Sequence, residues 1–137
     1  MINKTTIVIL ACQQAVPDPE VFLGPLRQAG FSPRVIAEPC SSKVETFQML
    51  RLLADEADLL WVAGCPETAC RLVEGSGRMV KRALHAQDYL KEIGLEPERL
   101  GWSRAPAATA QDAASIVTEI QERAGKLGRN PARPARR

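Results

Sequence analysis

A chain of 137 residues with 45% hydrophobic and 25% charged side chains has the size and composition of one ordinary globular domain. Those values exclude wholesale disorder and fibrous classes, and no apolar run approaches the roughly 18 residues of a membrane-spanning helix. Net charge is +2, yet five of the 18 basic residues and none of the 16 acidic ones fall from Lys126 onward. The body before Lys126 is therefore net negative, which argues against nucleic-acid binding. The Pro- and Arg-rich end, 126–137, has almost nothing to bury and is expected to be a disordered basic tail.

Thr5-Thr6-Ile7-Val8-Ile9-Leu10-Ala11 is a continuous apolar, β-branched run of the kind buried on both faces of a parallel sheet. Ile9-Leu10-Ala11-Cys12 also has the outline of a lipoprotein cleavage box. Only about seven apolar residues precede that cysteine, and a buried first strand accounts for them. Asp18-Pro19 opens a helix with Val21, Leu23 and Leu26 on its apolar side, Gly24-Pro25 expected to kink it and Gly30 to close it. Arg34–Ala37 is a second short strand. Ser42-Lys43-Val44-Glu45 reads as a capping box for a helix on which Phe47, Leu50, Leu53 and Ala54 share one face.

Leu59–Ala63 is a third buried strand, and 67–73 is expected to form a short helix. Ser76 is placed to cap a long helix from about Gly77 to Ile93, ended by Gly94. Leu100–Ser103 is a weaker fourth strand. Thr109 and Asp112 cap a last helix through about Ala124, with Ala113, Ile116, Val117 and Ile120 inward. Strand and helix alternate four times at βαβ spacing. The expectation is one α/β domain over 1–125, with a four-stranded, mostly parallel open sheet flanked by helices in the flavodoxin-like manner.

Four cysteines fall at or near strand ends: Cys12 after the first strand, Cys40 shortly after the second, Cys65 after the third, and Cys70 five residues further on. In an open α/β sheet the carboxyl ends of parallel strands share one edge, where ligands bind. The cysteines therefore converge on one site. Four thiolates suit an iron–sulfur cluster, structural zinc or a dithiol redox pair, and any one of them also suits a buried structural position. The cysteine at Cys12 sits in a turn without a glycine-rich phosphate cradle, and the single histidine, His85, reads as a surface or packed residue. Arg78, Lys81, Arg82 and His85 form one basic stripe on the long helix, either a solvated face or one that docks an acidic partner or offsets an anionic cluster.

These residues resemble the delta (iron–sulfur) subunit of methyl-viologen-reducing hydrogenases, from about Ile7 to Leu127. The likeness is carried by Ile7–Cys12, by Cys40-Ser41-Ser42-Lys43-Val44, by Gly64-Cys65 with Cys70, by Gly75-Ser76 followed by Arg78, Lys81 and Arg82, and by the segment Tyr89–Leu100. The chain departs from the family pattern at Ala15, where a second cysteine is usual, and at Ser76, where asparagine is usual. The resemblance implies a cytoplasmic, non-catalytic subunit that relays electrons through a [2Fe–2S] cluster on Cys12, Cys40, Cys65 and Cys70. It implies partners of the hydrogenase or formate dehydrogenase type on one side and a heterodisulfide-reductase-type flavoprotein on the other, with Arg78, Lys81 and Arg82 docking a partner or tuning the cluster. The alternative expectation is an assembly module with zinc or no metal at the cysteines.

Overall fold

The computed structural model describes residues 5–39, 44–65, 75–105 and 107–132. Four strands, β1 (Thr6–Cys12), β2 (Ser32–Glu38), β3 (Leu59–Ala63) and β4 (Leu100–Ser103), make one sheet in the order β2-β1-β3-β4. Every pairing is parallel. The order reverses between β1 and β3, the switch point at which ligands bind in doubly wound sheets. The helices are α1 (Glu20–Gln28), α2 (Thr46–Asp55), α3 (Gly75–Glu92) and α4 (Ala110–Leu127). The packing pairs α1 with α4 and α2 with α3.

Strand parity divides the core. Ile7, Ile9, Ala11, Leu59, Trp61 and Ala63 pack on the α1/α4 side, whereas Val8, Leu10, Leu60 and Val62 pack on the α2/α3 side. The continuous apolar runs of β1 and β3 thus serve two cores at once. Ile7, Val8, Ile9 and Leu10 are all 0% exposed, and burying each such side chain stabilises the fold by roughly 1.5–3 kcal/mol. At the β3–β4 contact, a Cβ on Gly101 would run into the Trp61 ring and the Arg123 guanidinium. Trp61 is held there by its Nε1 donating to Ser103 Oγ at 3.1 Å and by Arg123 over its ring at 5.2 Å.

Several expected boundaries move. β2 is longer than Arg34–Ala37 because its ladder with β1 runs from Thr6↔Ser32 to Cys12↔Glu38. α1 remains one helix across Gly24-Pro25, and Asp18 Oδ1 accepts from the Glu20 amide at 3.0 Å. Gly30 and Gly94 take φ of +92° and +83° at the ends of α1 and α3. α2 starts at Thr46 with Glu45 as its cap, while Ser42 and the helix expected over 67–73 lie outside the described residues. On α2, Met49 and Leu53 face the core, and Phe47 is 71% exposed. Phe47 lies about 200° around the helix from Met49, so the expected inward face is rotated, and Arg51 covers the ring at 5.8 Å. The Thr109 cap stands as expected, its side chain accepting from the Asp112 amide at 3.1 Å.

The structured domain also extends past the boundary expected at 125. α4 runs to Leu127, and Asn130 beyond it is fully buried. The cause is a polar network at the amino-terminal edge of the sheet. Arg99, 2% exposed, donates to the carbonyls of Asp58 (3.0 Å), Leu127 (3.1 Å), Gly128 (3.0 Å) and Arg129 (3.2 Å) and to Glu96 Oε1 (2.9 Å). It thereby satisfies carbonyls that the end of α4 leaves without helical donors. Asn130 Nδ2 donates to the Leu53 carbonyl, its backbone amide donates to Asp58 Oδ1, and Asp58 Oδ2 accepts from the Thr6 amide at 2.7 Å. Composition alone does not expose such a clasp.

Arg99→Ala leaves buried carbonyls without donors and lowers unfolding free energy in urea by about 3–5 kcal/mol. Arg99→Lys recovers only part of this, because an ammonium lacks the planar fork. The Glu96 carboxyl is held below its ordinary pKa, first by its own backbone amide and then by Arg99. A depressed folded-state pKa stabilises the fold fully above pH 4.5 and loses that contribution as pH falls through the lower value. The stability difference between the native chain and Glu96→Gln therefore shrinks in acid, as read from urea midpoints against pH.

Candidate metal centre

Cys12 ends β1, and Cys65 follows β3 by two residues. The two strands are neighbours in parallel register, with Ala11 opposite Ala63, so both cysteines emerge at the carboxyl edge of the sheet at its switch point. Their Sγ atoms are 3.4 Å apart, and the residues are 2% and 3% exposed.

Backbone hydrogen bonds hold both positions. The Gln13 amide donates to the Glu38 carbonyl and the Gly64 amide to the Ser103 carbonyl, each at 2.8 Å, which carries the ladders one residue past the strands. The Cys12 carbonyl accepts from the amides of Ala15 (3.1 Å) and Val16 (2.9 Å), closing a tight turn. The Ala107 amide donates to the Ala15 carbonyl at 2.9 Å and ties the approach to α4 across that turn. Ala11, Ala15, Ala63 and Ala107 are all buried in the same core cluster as the two cysteines. Among the described residues, these neighbours are small and apolar. The sequence offered no signal for Ala107 or for the Ser103 carbonyl as parts of this frame.

The sulfur separation decides what chemistry fits. A disulfide requires about 2.05 Å. Two thiolates on one tetrahedral metal, each bonded at about 2.3 Å, stand about 3.8 Å apart. The observed 3.4 Å is close to that bite, and an all-sulfur donor pair suits iron or zinc. Among the described residues, no group of three or more His, Cys, Asp or Glu side chains is placed to hold a metal ion. Cys40 and Cys70 lie outside the described residues. Cys40 follows Glu38, the residue opposite Cys12, by two positions.

The basic stripe divides into two roles. Arg78, Lys81 and His85 are exposed, with His85 stacked on Tyr89 at 5.1 Å. Arg82 is half-buried and bound within the chain, donating to the Val44 carbonyl at 3.2 Å and pairing with Glu45 at 3.7 Å. Thr46 Oγ1 donates in turn to the Arg82 carbonyl at 3.0 Å. This latch joins α3 to the start of α2. All four helices follow parallel strands, so their positive amino-terminal ends lie at the edge that carries the cysteines. No described helix is long and apolar enough to cross a membrane.

Comparison with known proteins identifies the chain's relatives. Residues 7–128 match the sequence profile of the methyl-viologen-reducing hydrogenase delta subunit. The chain is 30% identical over 127 residues to the iron-sulfur subunit of the F420-non-reducing hydrogenase from Archaeoglobus profundus, covering 91% of this chain and 92% of that protein. It is 33% identical over 97 residues to the vhu iron-sulfur subunit of the F420-non-reducing hydrogenase from Methanopyrus kandleri, covering 71% and 74%. A third similarity, 32% over 95 residues, is to one polypeptide of the ferredoxin:CoB-CoM heterodisulfide reductase from Methanosarcina mazei; it covers 69% of this chain and 12% of that longer protein.

The latch and the exposed cation beside it separate on mutation. Arg82→Ala costs about 1 kcal/mol of stability through the lost Val44 and Glu45 contacts, whereas Lys81→Ala stays within about 0.5 kcal/mol of the native chain. Thermal unfolding of the two variants side by side measures this.

Proposed function

Because the chain belongs to the methyl-viologen-reducing hydrogenase delta subunit family, we propose that it is an electron-transfer subunit that holds a [2Fe–2S] cluster on Cys12, Cys40, Cys65 and Cys70. The observation that carries the proposal is the pair of buried sulfurs 3.4 Å apart at the switch point of the sheet. A bound cluster of this kind supplies one-electron relay chemistry. The chain's own work is to present the ligands on rigid strand ends, to keep water away with Ala11, Ala15, Ala63 and Ala107, and to direct helix amino termini toward an anionic site.

The partners in this reading are a hydrogenase or formate dehydrogenase on one side and a heterodisulfide-reductase-type flavoprotein on the other, met in the cytoplasm. The Methanosarcina similarity supports the second, since there the matching segment is part of the heterodisulfide reductase polypeptide itself. Arg78 and Lys81, exposed on α3, offer a docking face to an acidic partner. Arg82 supports that face through its latch to Val44 and Glu45.

The test is the absorption and electron paramagnetic resonance spectrum of anaerobically purified protein, with iron and acid-labile sulfide measured on the same sample. The expected result is about two irons and two sulfides per chain, a visible chromophore and a signal on reduction. Cys65→Ser removes or strongly alters that chromophore. One zinc per chain with neither iron nor sulfide after anaerobic reconstitution overturns the electron-carrier reading in favour of an assembly module.

A further inference from the structure

We propose that Cys12 and Cys65 form a preorganised two-thiolate clamp that binds a single tetrahedral metal ion by itself, and that in a binuclear cluster the two share one iron. The second half rests on the cluster reading above; the first half does not.

The argument is one of distance. Sulfurs on the same tetrahedral centre lie about 3.8 Å apart at metal–sulfur bonds of about 2.3 Å. In two tetrahedra sharing a sulfide edge, the same bond length places terminal sulfurs on different metals at least about 5.3 Å apart. The observed 3.4 Å is about 0.4 Å from the first value and nearly 2 Å from the second. With the strand ends fixed by hydrogen bonds on both sides, opening the pair to the wider separation is left to a rotamer change at one of two buried side chains. Cys12 lies in the β1–β2 ladder, which continues through Gln13 to Glu38, and Gly64, just ahead of Cys65, is bonded to Ser103. A shift of about 0.4 Å is a small rotation within one rotamer well, whereas one of about 2 Å requires a buried cysteine to change rotamer against its packing.

Charge and solvation agree. When a divalent ion binds, each thiol loses its proton to solvent and two metal–sulfur bonds form, so an M²⁺ ion with two thiolates is neutral overall. A neutral assembly is what a site this buried tolerates, with both cysteines at most 3% exposed among buried alanines. The remaining coordination positions are left to small added ligands in the single-ion case, and to bridging sulfide in the cluster.

Cobalt(II) titration of the anaerobic, reduced full-length chain tests the clamp without iron. In the Cys40→Ala/Cys70→Ala variant, the expected result is one cobalt bound per chain, with thiolate-to-cobalt charge-transfer absorption and two protons released. Adding Cys12→Ala cuts that absorption by at least half. A Cys40→Ala/Cys70→Ala variant that keeps native circular dichroism and gives no charge-transfer band overturns the clamp. If that variant does not fold, ⁵⁷Fe Mössbauer spectra of the iron-loaded single variants Cys12→Ser and Cys65→Ser decide the matter. Both shift the same one of two iron sites if the pair shares an iron, and different sites if it does not. Cobalt binding by a chain that never assembles iron and sulfide would refute the electron-carrier reading and leave the clamp standing.

Discussion

The parallel register between β1 and β3 is the constraint on which the rest of this molecule depends. With Ala11 opposite Ala63, Cys12 and Cys65 leave the sheet side by side and their sulfurs come to 3.4 Å. A slip of one residue would move one cysteine by about 3.3 Å along the strand and turn its side chain to the other face. The register is strongly specified because both strands are buried on both sides, so any slip would also exchange the residues of the two cores. The same apolar packing that stabilises the sheet therefore sets the geometry of the sulfur pair.

The opposite edge of the sheet holds that register from below. Thr6 and Asp58, at the starts of β1 and β3, exchange hydrogen bonds: the Asp58 amide donates to the Thr6 carbonyl and Asp58 Oδ2 accepts from the Thr6 amide. Arg99 then joins the Asp58 carbonyl to the end of α4, and Asn130 closes the network against Asp58 and Leu53. A buried guanidinium is costly unless its donors are satisfied. Here they reach four carbonyls and one carboxylate. The amino-terminal edge is thus closed by a polar network, while the carboxyl edge carries the sulfur pair.

The carboxyl edge carries positive potential from the backbone itself. The helix amino termini that follow each parallel strand supply partial positive charge through backbone dipoles, which require no particular side chain. Arg78 and Lys81 add charge on an exposed face of α3, while Arg82 is engaged with Val44 and Glu45. Partial positive charge from the backbone and side-chain charge on α3 are thus carried by different groups.

The alternation of strands and helices, the all-buried character of β1 and β3, the Thr109 cap and the inward face of α4 are all legible in the residues alone. They rest on local periodicity and capping chemistry, which neighbouring residues encode. So is the meeting of Cys12 and Cys65 on one edge, because each follows one of two neighbouring parallel strands. Long-range packing settles the rest. The 3.4 Å sulfur separation comes from strand pairing, and the outward turn of Phe47 comes from how α2 settles on the sheet. The engagement of Arg82 comes from the crossing of α2 and α3, and the burial of Asn130 within an apparently featureless basic end comes from its bonds to Asp58 and Leu53, 72 and 77 residues earlier in the chain. Each of these depends on a group distant in sequence, and a contact of that kind has no period or motif to announce it.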